Sequence, residues 1–149
     1  MQTLIRTTSE DGDYQNLVTL LDAELKIRDG DEHSFFAQYN KSDMIKHVVV
    51  CYDNETAVGC GAFKYFDDGI VEIKRMFVLN QMRGKGIAKK ILAELEQWAK
   101  ELNYNQTILE TGIRQPEAIA LYKHAGYTVI PNYGQYENVA SSVCMKKSI

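Results

Sequence analysis

A hydrophobic run over residues 70–78 passes into Gln81-Met82-Arg83-Gly84-Lys85-Gly86-Ile87-Ala88 and then into the most regular apolar stripe of the chain. Ile87, Ile91, Leu92, Leu95, Trp98 and Leu102 recur at helical spacing. A strand, a glycine turn and a one-sided helix therefore follow one another without a linker. The strand must join a sheet, and the helix must cover one of its faces. Glycines at alternate positions allow a tight turn and leave no Cβ in the way of a ligand. Peptide N–H groups ahead of the first helical turn have no intrahelical partner, and the helix dipole adds partial positive charge there. Arg83, Lys85, Lys89 and Lys90 add formal charge. Together these features describe a seat for a pyrophosphate or similar anion. A plain glycine turn with a solvated basic rim is the competing reading.

The other elements follow from pattern. Residues 3–7 read as a strand. Asp11-Gly12-Asp13 offers capping side chains for a helix over 13–28, with Leu17, Leu20, Leu21, Leu25 and Ile27 at helical spacing. Asp29-Gly30-Asp31 ends it, and 34–39 reads as a short second helix. Runs 47–52, 57–65 and 70–78 are strands joined by Asp53-Asn54-Glu55 and by Asp67-Asp68-Gly69, a hairpin turn signal, so the three should pair antiparallel. Asn103 to Asn105 stops the amphipathic helix, and 106–111 is a strand. Gln115 caps the next helix, Pro116 suits its first position and Gly126 ends it. Residues 127–130 and 142–147 are the last strands. The order implies an α+β fold in α/β/α layers, a mixed sheet with helices on both faces.

A chain of 149 residues is long enough for one domain with a sizeable core, expected over 1–149. At 45% hydrophobic and 25% charged, with net charge −3 and pI about 5.6, it carries no nucleic-acid footprint. No apolar run is long enough for a membrane span, and the N-terminus lacks signal-peptide organisation. Cys51, Cys60 and Cys144 are odd in number and show no C-x-x-C spacing. They read as small buried hydrophobes of a cytoplasmic protein rather than a disulfide framework or metal site.

With these elements placed, the chain resembles the GNAT superfamily of N-acetyltransferases. The resemblance follows the element order over nearly the whole length and is sharpest at two motifs. Gln81-Met82-Arg83-Gly84-Lys85-Gly86 fits that family's acetyl-CoA loop, after a strand ending Lys74-Arg75-Met76-Phe77-Val78. Ala118-Ile119-Ala120-Leu121-Tyr122-Lys123-His124-Ala125-Gly126-Tyr127 is similar to its second signature helix. One departure is Gln115, where many members carry asparagine. Other phosphate loops fit less well: a Walker A loop needs Lys and Ser/Thr after Gly86, and a Rossmann fingerprint needs Gly or Ala where Lys89 stands.

The resemblance implies a mostly antiparallel sheet of six to seven strands, with a splay between the fourth and fifth. It implies acetyl transfer from acetyl-CoA to a primary amine of a small molecule by direct attack on the thioester, without a metal. Proteins of this architecture often form homodimers through sheet edges or terminal strands, and the sequence does not fix the oligomeric state. A protein or peptide acetyltransferase and a non-catalytic CoA-binding module are the alternatives. Pantetheine would lie in the splay against the backbone of Met76, Phe77 and Val78. The amides from Arg83 to Ala88, behind Gln81 and Met82, would hold the pyrophosphate, with Gln115 and Lys123 as further contacts. The chemistry needs a base, because an alkylammonium of pKa near 10.4 is no nucleophile, and it benefits from an acid for the departing thiolate. Tyr122 is the candidate acid. Glu72 is the leading candidate base and Glu110 the second. Strand alternation puts Glu72, Lys74, Met76 and Val78 on one face and Ile73, Arg75 and Phe77 on the other. The acidic segment 28–36, with His33, and the stretch 132–136 are candidate walls of an acceptor pocket, or ordinary loop and packing.

Overall fold

The computed structural model describes residues 1–37 and 44–149. Among these residues seven strands form one sheet in the order β1-β2-β3-β4-β5-β7-β6. They are β1 Gln2–Thr7, β2 His47–Asp53, β3 Thr56–Asp67, β4 Ile70–Val78, β5 Gln106–Gly112, β6 Thr128–Ile130 and β7 Ser142–Ser148. Every neighbouring pair is antiparallel except β4 and β5, which run parallel. The hairpins expected from Asn54 and Gly69 form, and both residues take the left-handed φ such turns need, 58° and 72°. Among the described residues the α-helices are α1 Gly12–Asp29, α2 His33–Ala37, α3 Ile87–Glu101 and α4 Pro116–His124. Of the short helix expected over 34–39, residues 38 and 39 lie outside the described residues.

Two apolar clusters lie on the two sheet faces. Beneath α3, Ile87, Ile91, Leu92, Leu95 and Ala99 pack on Val49, Phe63, Val71 and Ile73, joined by Tyr122 of α4. Beneath α1, Tyr14, Leu17 and Leu21 pack on Val48, Val50, Cys60 and Phe77. Asp11 caps α1 by accepting from the Tyr14 amide at 3.0 Å. The buried stripe of α1 is narrower than the sequence pattern suggested. Leu20 and Ile27 point to solvent, because the helix meets the sheet along 14, 17, 18, 21 and 25. All three cysteines are free and buried.

The approach of α3 to the sheet depends on β3 glycines. A Cβ on Gly61 would fall 2.5 Å from Met76 Sδ and 2.9 Å from side-chain carbons of Ile91 and Leu95. Gly61→Ala is therefore expected to cost about 1–3 kcal/mol through overpacking, read as a lower urea midpoint at unchanged slope.

Opposite Gly61, β4 carries an extra residue. Cys60 pairs with Phe77 and Ala62 with Lys74, so Arg75 and Met76 share one partner position. Arg75 sits at φ 59°, a left-handed conformation at the bulge. The expected alternation holds only up to Lys74. Past the bulge it inverts: Met76 and Val78 join Ile73 beneath α3, while Phe77 and Arg75 turn to α1. The period-two reading failed because a bulge shifts every later side chain to the other face.

Candidate functional site

The parallel register of β4 and β5 runs only from Ile70–Gln106 to Glu72–Ile108. Beyond that, β4 continues to Val78 and β5 to Gly112 with no ladder between them. The sheet splays here, and the backbone groups β4 turns toward β5 lack a strand partner on that side. A cavity of about 100 Å³ opens in the splay. Its walls are Leu21 and Leu25 of α1, residues 73–76 of β4, Glu110 and Thr111 of β5, and Gln115, Ala118 and Tyr122 of α4.

Tyr122 is buried and packs edge-to-face on Tyr127, with ring centroids 5.7 Å apart. Burial first, and the Glu110 charge second, push its phenol well above the ordinary value, so it stays protonated and able to donate. Across the cavity, burial pushes the Glu110 carboxyl up to about 7, opposed in smaller part by the neighbouring Ser142 hydroxyl and the Lys74 charge. A carboxyl held near neutrality and a phenol held neutral on one small cavity form an acid–base pair with separated roles.

Glu72 lies at the last rung of the β4–β5 ladder. It is 4% exposed and accepts a 2.7 Å hydrogen bond from the Tyr133 hydroxyl. The cavity wall includes Glu110 but not Glu72. Tyr133 thus anchors the 132–136 stretch to the sheet, while Tyr136 is packed with Phe36 and Cys144.

The anion seat stands at the end of β4. Met82 and Arg83 close a 3-10 turn, their amides bonding Leu79 O at 2.8 Å and Asn80 O at 3.3 Å. The Arg83 side chain also turns inward, donating to Val78 O at 2.9 Å and pairing with Glu24 at 2.8 Å. Arg83 is thus partly engaged within the fold, and the run of amides without a backbone partner begins at Gly84. The first α3 bond runs from Lys90 N to Gly86 O, which leaves the amides of Ile87, Ala88 and Lys89 without intrahelical acceptors. Gly84 and Gly86 have φ of 81° and 78°, and a Cβ on either would enter open space. Donors, dipole and bare glycines suit a diphosphate. Gln81 and Lys85 form the exposed rim, and Ile87 anchors the helix in the core. Phe77 and Val78 side chains are core. Lys123 is exposed on α4.

Gln115 occupies the N-cap position of α4, but its side chain makes no capping hydrogen bond. It lines the cavity instead, with its amide nitrogen 3.4 Å from where a Cβ on Gly112 would stand. Two of the three acids of 28–36 are taken up by the fold, and Asp31 is exposed. Asp29 is buried, its pKa raised by desolvation, and Glu32 pairs with Arg114 and accepts from Ser141. Sequence reasoning missed Lys74, Arg75 and Thr111 as cavity residues. Only the bulge and the splay bring them there, and neither has a local sequence signal. Among the described residues no group of three or more His, Cys, Asp or Glu side chains could hold a metal, and no helix is long and apolar enough to cross a membrane.

Comparison with known proteins agrees with this geometry. Residues 14–127 match the model of the acetyltransferase (GNAT) family. The chain is 36% identical over 102 residues to a protein named IAA acetyltransferase from Azospirillum brasilense, covering 68% of this chain and 67% of that one. A crystal structure from Klebsiella pneumoniae, assigned as an acyl-CoA N-acyltransferase, superposes with a TM-score of 0.83 at 31% identity, over 99% of this chain and 97% of that chain. The PaiA N-acetyltransferase of Thermoplasma acidophilum, crystallised with coenzyme A, shares the fold at a TM-score of 0.74 and 16% identity, over 100% and 99% of the two chains. The chain belongs to the GNAT family of acetyltransferases, enzymes that take their acetyl group from acetyl-CoA.

Proposed function

We propose that this chain, as one domain over 1–149, moves the acetyl group of acetyl-CoA to a primary amine of a small molecule. The observation that carries this reading is the cavity in the β4–β5 splay, with Glu110 and Tyr122 both on its lining. The three free, buried cysteines fit a reducing cytoplasm.

In this reading the diphosphate of the donor rests on the amides from Gly84 to Ala88 and the pantetheine arm follows the splay. Glu110 accepts the proton of the incoming ammonium, directly or through a water, and is preferred to Glu72 because Glu72 is held by Tyr133. The freed amine attacks the thioester carbonyl. The C–N bond forms, the C–S bond breaks, and Tyr122 gives its proton to the departing sulfur.

The reading is tested by incubating the protein with acetyl-CoA and a panel of amines and recording free thiol. Thiol release that depends on both substrates supports it. Release confined to peptide acceptors, or none from protein that binds acetyl-CoA, counts against it. Tyr122→Phe is expected to lower kcat by about 10²-fold, the low end for acid–base catalysis, with acetyl-CoA affinity kept. The loss is modest because a thiol of pKa near 8.5 leaves with little help. An unchanged kcat removes Tyr122 from the chemistry.

A further inference from the structure

The cavity holds one charge that the transfer chemistry leaves unused. Lys74 lines it beside Glu110, Gln115 and Tyr122. Its neighbour Arg75 pairs with Asp22 of α1 at 2.7 Å, but among the described residues the Lys74 ammonium makes no ion pair of its own. Glu72 and Glu110 act on it only through space, against Lys64 and Arg75, and burial lowers its pKa. Neither acid is bonded to it. Glu72 accepts its hydrogen bond from Tyr133, and burial pushes the Glu110 carboxyl up to about 7. An unpaired cation in a partly desolvated site costs free energy, and such groups cluster where a ligand completes them. The donor does not supply the missing anion, because its phosphates belong at the Gly84–Gly86 end and its pantetheine arm is neutral.

We infer that the acceptor is an amine that also bears a carboxylate, an amino acid or a compound of that type, and that Lys74 pairs with this carboxylate while the amine faces Glu110. The inference rests on the reading above that this cavity receives the acceptor. It also separates acceptor classes. An amino acid brings one charge for each side of the cavity, whereas a polyamine brings like charge against Lys74.

The test uses the whole protein, acetyl-CoA and matched acceptor pairs, each amino acid beside its own carboxamide, with thiol release as readout. The wild type is expected to prefer the free acid in kcat/KM by about 10- to 100-fold, the range of one charge-assisted contact. Lys74→Gln should collapse that ratio toward one, chiefly through a higher KM for the acid, and Lys74→Arg should retain most of it. A purely structural lysine would not change the ratio. Equal rates for acid and amide in the wild type overturn the inference. So does a ratio that survives in Lys74→Gln, and so does turnover confined to amines without a carboxylate or no turnover at all by protein that binds acetyl-CoA. Protein that fails to bind acetyl-CoA in calorimetry overturns the transferase reading, and this inference with it.

Discussion

Calorimetric titration of Gly86→Trp with acetyl-CoA is expected to show affinity reduced by about 10²- to 10⁴-fold. Gly86 is the N-cap of α3 at φ 78°, and a Cβ there meets no atom within 4 Å. The indole would project into that open space, over the amides of Gly84, Gly86 and Ile87. Blocking two charge-assisted hydrogen bonds at about 1.5–3 kcal/mol each removes about 3–6 kcal/mol, and every 1.4 kcal/mol is tenfold in affinity. The left-handed φ adds strain of about 1 kcal/mol to the fold, so the melting temperature should fall by only a few degrees. Gly86→Ala separates the two effects, since it carries the same strain with little bulk and should keep most of the affinity. Wild-type binding by folded Gly86→Trp would remove the diphosphate seat from this corner.

That seat was legible in the sequence because its causes are local. Alternate glycines, an apolar strand before them and a 3.6-residue stripe after them each follow from a few neighbouring residues, and α3 and its loop appear where the pattern put them. All seven strands appear as well, within a residue or two of their expected ends. What the sequence concealed depends on contacts between distant segments. Arg75 has no glycine-like signature, yet it carries the left-handed φ of the β4 bulge. A period-two reading crosses that bulge and assigns Met76, Phe77 and Val78 to the wrong faces. That Glu110 lines the cavity and Glu72 does not depends on where β4 and β5 part. The role of Arg83 was obscured in the same way. Its charge looked like part of the anion seat, but Glu24 lies across from it on α1.

Glu110→Gln should lower kcat/KM by about 10³-fold at neutral pH, within the range for a positioned base, and the pH dependence fixes the cause. The proposed base acts only when ionised. Its folded-state pKa is about 7, so wild-type kcat/KM should rise with pH through about 7 and level off above it. The glutamine variant should lose that limb. The same shift acts on stability with the opposite sign. A carboxyl raised from 4.5 to about 7 by burial favours the folded state in its protonated form. That contribution is complete below about 4.5 and is lost as pH rises through 7. At about 1.4 kcal/mol per tenfold change in proton affinity, ionising Glu110 costs the fold at most about 3 kcal/mol at pH 8. Glutamine is never charged, so the variant should be more stable than the wild type at pH 8 in urea unfolding, by up to that amount. Near pH 4 the two should be about equal. Lower activity with higher stability above pH 7 marks a buried acid retained for its chemistry rather than for the fold. A variant that loses activity and stability together, or keeps the rising limb, would return the base assignment to Glu72.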